Sequence, residues 1–231
     1  MDRVRFFGST YKYHFSFIGA PHFGSDQIAL ANIGDSGMLL IRETHVDKVG
    51  SLLRGGVRQG LRGGLRVSFR STQQLHSFNQ PFQLGFLPGD DKELSLENWP
   101  DDASVEASPA LAPFETPRDA DLIRFPVLPG DIIVLATDGL FDNVDETEIL
   151  EITQRWLDKH SRQAKSAKEP GDCPELSKLA SQLVNHAYEL SLDTTRDSPF
   201  AVLAKENDIN WTHGGRTDDI TVVCARVLQQ E

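Results

Sequence analysis

The order of apolar segments along the chain is the feature that most restricts its fold. Strand-like apolar runs lie at 27–33, 38–41 and 122–137, and a further run lies at 220–227. Two amphipathic helical segments lie one after the other between the last two runs. The chain shows no repeated strand–helix–strand pattern. Parallel strands need such crossover helices, whereas antiparallel strands can follow one another directly. We therefore expect an α+β fold with an antiparallel sheet.

Both helical segments carry signals for their ends. Asp145 can cap the first helix, and Glu148 follows three residues later, as in a capping box. The second helix is expected over about 174–190, with Pro174 in its first turn. Between the first two strands, residues 34–37 read Gly-Asp-Ser-Gly. Two apolar runs around such a tetrad predict a β-hairpin.

Three segments do not fit this pattern of strands and helices. Residues 1–26 lack a clear period and are interpreted as an atypical, irregular leader before a domain at 27–231. Residues 51–69 are rich in glycine and arginine, and glycine costs a helix about 1 kcal/mol relative to alanine. They predict a flexible basic insert. Residues 89–121 hold ten acidic and two basic residues with four prolines, which predicts a solvated acidic flap.

Charge and cysteine content exclude several classes of protein. The chain has 34 acidic and 23 basic residues, a net charge of −11, which argues against binding a nucleic-acid backbone and leaves room for cations. No apolar run approaches the roughly 20 residues of a membrane-spanning helix. The two cysteines cannot form a disulfide framework, so a reducing compartment such as the cytoplasm is expected by default.

Aspartates follow or precede apolar strands in three separate segments. Asp35 lies in the Gly-Asp-Ser-Gly tetrad, Asp138 and Asp142 follow the strand that ends near 137, and Asp218 precedes the last strand. Any one of them could simply accept backbone hydrogen bonds in a turn or a helix cap. If the strand ends converge, however, the carboxylates would crowd together and require a cation between them. A cluster of aspartates suits Mg²⁺ or Mn²⁺, and such a site can activate water against a phosphoryl group.

The three segments resemble motifs of the PPM family, the type 2C metal-dependent Ser/Thr protein phosphatases. They read Asn-Ile-Gly-Asp-Ser-Gly at 32–37, Leu-Ala-Thr-Asp-Gly-Leu-Phe-Asp-Asn at 135–143 and Thr-Asp-Asp-Ile-Thr-Val at 217–222. The stretch His-Ser-Phe-Asn-Gln-Pro-Phe-Gln-Leu at 76–84 is similar to the branch of this family found in the mitochondrial matrix. The resemblance implies a β-sandwich of antiparallel sheets flanked by helices. It also implies a mitochondrial protein that acts as a monomer on phosphoprotein substrates.

The resemblance also implies roles for individual residues. Asp138 and Asp218 match ligands of two Mg²⁺ or Mn²⁺ ions, and Asp35 and Asp142 match positions that hold a weaker third ion in some members. The implied reaction is the removal of phosphate from phosphoserine or phosphothreonine by metal-activated water, without a covalent enzyme intermediate. His213 lies close to the Asp218 segment and is a candidate proton donor.

One family segment has no match in this chain. The family carries an Asp-Gly-x-Gly-Gly segment near its N-terminus, and Asp138-Gly139 is the only Asp-Gly pair here. The sequence therefore predicts a domain that is incomplete at its N-terminus. An alternative is a catalytically impaired isoform, or pseudophosphatase, that acts as a binding module. A Ca²⁺-binding scaffold is disfavoured because no Asp-x-Asp-x-Asp-Gly loop is present. A haloacid-dehalogenase-type phosphatase is excluded, since its nucleophilic aspartate would stand where Ala136 does.

Overall fold

The structure, a computed structural model, describes residues 15–19, 27–44, 64–84, 115–164, 176–212 and 214–228. The described regular structure consists of two antiparallel sheets, a two-stranded hairpin, four α-helices and one short 3₁₀ helix. The strands are β1 (Phe15–Gly19), β2 (Gln27–Ile33), β3 (Gly37–Glu43), β4 (Leu65–Arg70), β5 (Leu75–Ser77), β6 (Gln80–Pro81), β7 (Asp121–Pro126), β8 (Ile132–Ala136) and β9 (Val222–Arg226). The helices are α1 (Asp138–Phe141), α2 (Glu146–Ala164), α3 (Leu176–Ser191) and α4 (Pro199–Glu206).

The two sheets pack face to face as a sandwich. One sheet has the order β1-β2-β7 and the other β4-β3-β8-β9, while β5 and β6 form a separate small hairpin. Strand β3 is central, and its side chains alternate between two apolar layers. Met38 and Leu40 lie between the sheets, whereas Leu39 and Ile41 face the helices with Trp156 and Leu183. The predicted α+β sandwich of antiparallel sheets flanked by helices is thus confirmed.

The predicted hairpin at residues 27–41 is wrong. β2 pairs with β1 and β7, whereas β3 pairs with β4 and β8 in the other sheet. The tetrad that begins at Gly34 therefore carries the chain from one sheet to the other, and Gly34 has a φ of 93° that favours glycine. The apolar runs on each side of the tetrad show that the strands are buried, but they do not specify pairing partners.

The basic segment is not irregular over its whole predicted length. Residues 51–63 lie outside the described part of the chain, but Leu65–Arg70 form β4, an edge strand paired with β3. A register shift opposite Leu40 and Ile41 turns Phe69 toward the layer between the sheets, where it stacks on Phe125 with ring centroids 4.5 Å apart. The prediction of a flexible insert is wrong for 65–69, because apolar residues alternate with arginines and serine there.

The leader and flap predictions can be checked only in part. Residues 15–19, inside the predicted leader, form β1 and pair with β2, so an irregular leader is wrong for these residues. Of the acidic flap, residues 89–114 lie outside the described ranges, while Pro117–Asp119 form a short 3₁₀ turn and Asp121 opens β7. No helix in the described ranges is long and apolar enough to cross a membrane.

The two predicted long helices are confirmed as α2 and α3. At the start of α2, the backbone N–H of Glu148 donates to the Asp145 carboxylate (2.9 Å), and the Asp145 N–H donates to the Glu148 carboxylate (3.2 Å). This reciprocal pair is the predicted capping box. The apolar faces of α2 and α3 cover the outer side of the β4-β3-β8-β9 sheet.

Candidate active site

The three aspartate segments meet at one edge of the β4-β3-β8-β9 sheet. Gly37 at the start of β3 and Val222 at the start of β9 both pair with Ala136, the last residue of β8. The residues just beyond these strand ends are therefore neighbours. Asp35, Asp138 and Asp218 line one cleft of about 400 Å³.

Side-chain and backbone contacts tie the Asp138 and Asp218 segments together. The Thr137 hydroxyl donates to the backbone oxygen of Asp219 (2.7 Å) and accepts from the Thr221 N–H (3.0 Å). A Cβ atom on Gly139 would lie 2.6 Å from that same Asp219 oxygen. Only glycine allows the two segments to approach this closely, so the Asp-Gly pair has a structural reason besides any chemical one.

A single guanidinium lies at the centre of the carboxylates. Arg216 Nη1 is 3.1 Å from Asp138 Oδ2 and 2.5 Å from Asp142 Oδ2, and Nη2 is 2.8 Å from Asp218 Oδ2. The guanidinium also lies over the ring of Phe200, 4.8 Å from its centroid. One positive charge thus contacts three negative ones.

The carboxylates carry more negative charge than Arg216 neutralises. Burial, reinforced by the nearby charge of Asp138, raises the pKa of Asp142 to about 7, although Arg216 acts in the opposite direction. Asp35 also contributes to this increase, and its side chain is buried. Crowding of this kind is expected where a site is built to hold additional positive charge.

The side chain of Asn143 holds the backbone of Arg216 in place. Its side-chain amide donates to the backbone oxygens of Gly139 (2.9 Å) and Arg216 (2.8 Å), and its oxygen accepts from the Arg216 N–H (2.8 Å). Asn143 is completely buried. The backbone at Arg216 is therefore held rigidly against the Asp138–Asp142 segment, while the arginine side chain extends from it into the cleft.

The β5–β6 hairpin and the residues just after it line the same cleft as the aspartates. They contribute Asn79, Pro81 and Gln83. The neighbouring Phe78 packs on Phe200, with ring centroids 5.3 Å apart. Phe200 also packs against the Arg216 guanidinium. The same aromatic side chain therefore contacts both the hairpin and the arginine at the centre of the carboxylates.

The carboxylate oxygens of these aspartates suit a divalent cation, but in this structure the Arg216 guanidinium occupies the space between them. Carboxylate oxygens are the hard ligands that Mg²⁺ and Mn²⁺ prefer. The pKa of Asp142 is raised first by burial and then by the charges of Asp138 and Asp35, and a cation among these carboxylates would oppose that increase. Within the described ranges, no three His, Cys, Asp or Glu side chains are set to hold a metal ion. Their oxygens are instead directed at the guanidinium.

The structure brings together all four aspartates singled out from the sequence. Asp35, Asp138 and Asp218 line one cleft, and Asp142 contacts Arg216 of the same lining. Their role as metal ligands stays a prediction. His213 lies outside the described residues. Arg216 and Asn143 were not given roles from the sequence. The only signal for them was that Asn143 ends the motif at 135–143 and that Arg216 directly precedes the motif at 217–222.

The fold defines the class of protein to which the chain is similar. An X-ray structure of the photosystem II phosphatase PBCP matches it with a TM-score of 0.55, covering 88% of this chain and 60% of that chain at 23% identity. That likeness establishes the PPM-type phosphatase fold, a sandwich of antiparallel sheets flanked by helices. No family model matches the sequence.

Curated proteins of similar sequence show which kind of phosphatase the chain resembles. The protein phosphatase PTC7 homolog fig of Drosophila erecta is 35% identical over 200 residues, and that of Drosophila ananassae is 34% identical over 197. These matches cover 87% and 85% of this chain. The chain is thus a relative of the PTC7-type protein phosphatases. It spans about half the length of the curated relatives that it matches, 47% and 45% respectively.

Proposed function

We propose that this chain belongs to an enzyme that removes phosphate from phosphoserine and phosphothreonine in proteins with the help of divalent cations. The convergence of Asp138, Asp142 and Asp218 on one central cation at the floor of a cleft carries this proposal. The curated relatives, named as protein phosphatases, support the same reaction class.

The residues that would hold Mg²⁺ or Mn²⁺ are the four aspartates at the strand ends. Asp138 and Asp218 are assigned to two ions, with Asp35 and Asp142 beside them for a weaker third site. When bound, such ions neutralise phosphoryl oxygens and activate water. The chain itself supplies the carboxylates and, through Asn143 and Thr137, holds the segments that carry them at a fixed separation.

The cleft is suited to a phosphorylated side chain on a polypeptide. Its volume of about 400 Å³ lies in the range of ligand sites, and its lining includes the aspartates at the strand ends. The lining also includes Asn79 and Gln83, whose amide side chains can bond to a substrate backbone. Asn79 is exposed at the hairpin tip, where a φ of 53° turns the chain.

The proposal is tested by the hydrolysis of a phosphothreonine peptide with Mn²⁺ and with Mg²⁺. Loss of several kcal/mol of metal-derived stabilisation should lower the rate of Asp138→Asn and of Asp218→Asn about 100-fold or more. Asp208→Asn is the matched control, because Asp208 is exposed with a φ of 58° that asparagine also adopts. A double Asp138→Asn, Asp218→Asn variant as active as the wild type would refute the assignment. Absence of metal-dependent hydrolysis in the wild type would favour the binding-module alternative.

We further propose that the protein is a monomer of the mitochondrial matrix. The segment at 76–84 supports this location through its similarity to the mitochondrial branch of the family. Fractionation of cells that produce the native protein should place it with matrix markers, and light scattering should give the mass of one chain. Recovery with cytosolic markers would contradict the location, and a mass of two chains would contradict the monomer.

A further inference from the structure

The position of Arg216 has a consequence for metal binding. A divalent ion needs lone pairs of the same carboxylate oxygens that now form ion pairs with the guanidinium. The nitrogen atoms of Arg216 lie 2.5–3.1 Å from those oxygens, and a bound Mg²⁺ would lie about 2.0–2.1 Å from its ligands. Guanidinium and metal ion cannot share this space.

We propose that Arg216 is the resident cation of the cleft and sets its affinity for divalent metal ions. In the metal-free protein it neutralises Asp138, Asp142 and Asp218, and a metal ion must displace its guanidinium to bind them. This inference rests on the proposed function, because the metal ion concerned is the one assigned to that reaction. It gives Arg216 two opposite effects: it stabilises the metal-free protein and weakens metal binding.

The exchange requires only a side-chain rotation. Asn143 bonds to both the N–H and the C=O of Arg216, so the backbone there stays in place. The arginine side chain is 19% exposed and lines the open cleft, into which it can swing. The face of Phe200 provides a surface along which the guanidinium can remain partly desolvated.

Arg196 offers a matched control on the same protein. It also bonds to a carboxylate through two nitrogens, at 3.1 and 3.0 Å from the Glu148 oxygens, and its side chain is 23% exposed. It lies outside the cleft lining. Arg196→Gln therefore removes one positive charge and the ion pairs with Glu148 and Asp145 without touching the four aspartates of the cleft.

The test is a calorimetric titration of Mn²⁺ into the wild type, Arg216→Gln, Arg216→Lys and Arg196→Gln, together with melting curves with and without Mn²⁺. Arg216→Gln should bind Mn²⁺ about tenfold or more tightly than the wild type, because the three ion pairs of the guanidinium no longer have to be broken. Its metal-free melting temperature should fall, and its rise with Mn²⁺ should exceed that of the wild type. Arg196→Gln should also melt earlier, but its affinity for Mn²⁺ should equal that of the wild type.

Arg216→Lys keeps the charge but replaces the planar guanidinium, which contacts the three carboxylates through two nitrogens, with a single ammonium nitrogen. It should bind Mn²⁺ more tightly than the wild type and less tightly than Arg216→Gln, and it tests the proposal if Arg216→Gln does not fold without metal. Equal or weaker Mn²⁺ binding by either Arg216 variant would overturn the inference. Phosphatase activity is measured separately. An active wild type with unchanged affinities in the variants refutes only the role of Arg216, and an inactive wild type with tighter-binding variants refutes only the proposed function.

Discussion

Gly215, the residue before Arg216, gives a direct test of how the site is positioned. A Cβ atom at this position would lie 2.2 Å from the backbone oxygen of Leu190 and 2.6 Å from that of Ser191, at the end of α3. Neither neighbour is a flexible side chain that can yield. The Gly215 N–H also donates to the Asp193 oxygen at 2.7 Å. Gly215→Ala must therefore push the Arg216 segment away from α3 by about 1 Å, given carbon–oxygen contacts of roughly 3.3 Å.

The cost of this displacement can be estimated from its parts. Overpacking in a close-packed region costs about 1–3 kcal/mol. Weakening of the Asp193 hydrogen bond adds about 1 kcal/mol. The free energy of unfolding of Gly215→Ala should thus be about 2–4 kcal/mol below that of the wild type. Because Arg216 shifts relative to its three carboxylates, the affinity of the Gly215→Ala variant for Mn²⁺ should change as well.

Gly64→Ala is the control for this substitution. A Cβ atom at Gly64 meets nothing within 4 Å, so its effect is limited to the unfolded chain and should lie within about 1 kcal/mol. Urea unfolding of both variants, followed by circular dichroism, gives the comparison. If Gly215→Ala unfolded at the same urea concentration as Gly64→Ala, the close approach of the Arg216 segment to α3 would be disproved.

Two further predictions concern groups that hold the site and its neighbouring helix. Asn143→Ala leaves one buried and two partly buried backbone groups without their partner and should lower the free energy of unfolding by about 2–5 kcal/mol. A loss below about 1 kcal/mol in urea unfolding would contradict this role of Asn143. Hydrogen bonds from Arg196 lower the pKa of Glu148 from its ordinary 4.5, so the pair stabilises the fold above about pH 4.5 and this contribution is lost as the pH falls through the lowered value. The wild type should exceed Arg196→Gln in stability near pH 7 and approach it near pH 3, and a constant difference over this range would contradict the ion pair.

The sequence allowed element types to be predicted better than strand partners. Periodicity and the Asp145–Glu148 capping box located α2 and α3, because both signals lie within a few residues of one another. The partners of β3 are separated from it by much longer stretches of chain, and no local pattern specifies them. The Gly34 tetrad was therefore interpreted as a hairpin although it links the two sheets.

The same difference applies to the candidate site. The aspartates could be found because they stand next to strand ends, and strand ends of one antiparallel sheet meet at a common edge. The role of Arg216 depends on three ion pairs to residues as distant in sequence as Asp138, which only the folded chain reveals. The role of Asn143 also depends on the folded chain, because its side chain bonds to the backbone of a residue 73 positions away.

X-ray diffraction from crystals soaked in Mn²⁺, measured at a wavelength where manganese scatters anomalously, would show whether Asp138, Asp142 and Asp218 form a divalent-cation site that the Arg216 guanidinium now occupies. We expect an anomalous peak among these carboxylates, with the guanidinium moved away into the cleft and the backbone at Asn143 unchanged. A guanidinium still bound to the three carboxylates, with no manganese among them at saturating concentration, would contradict this expectation.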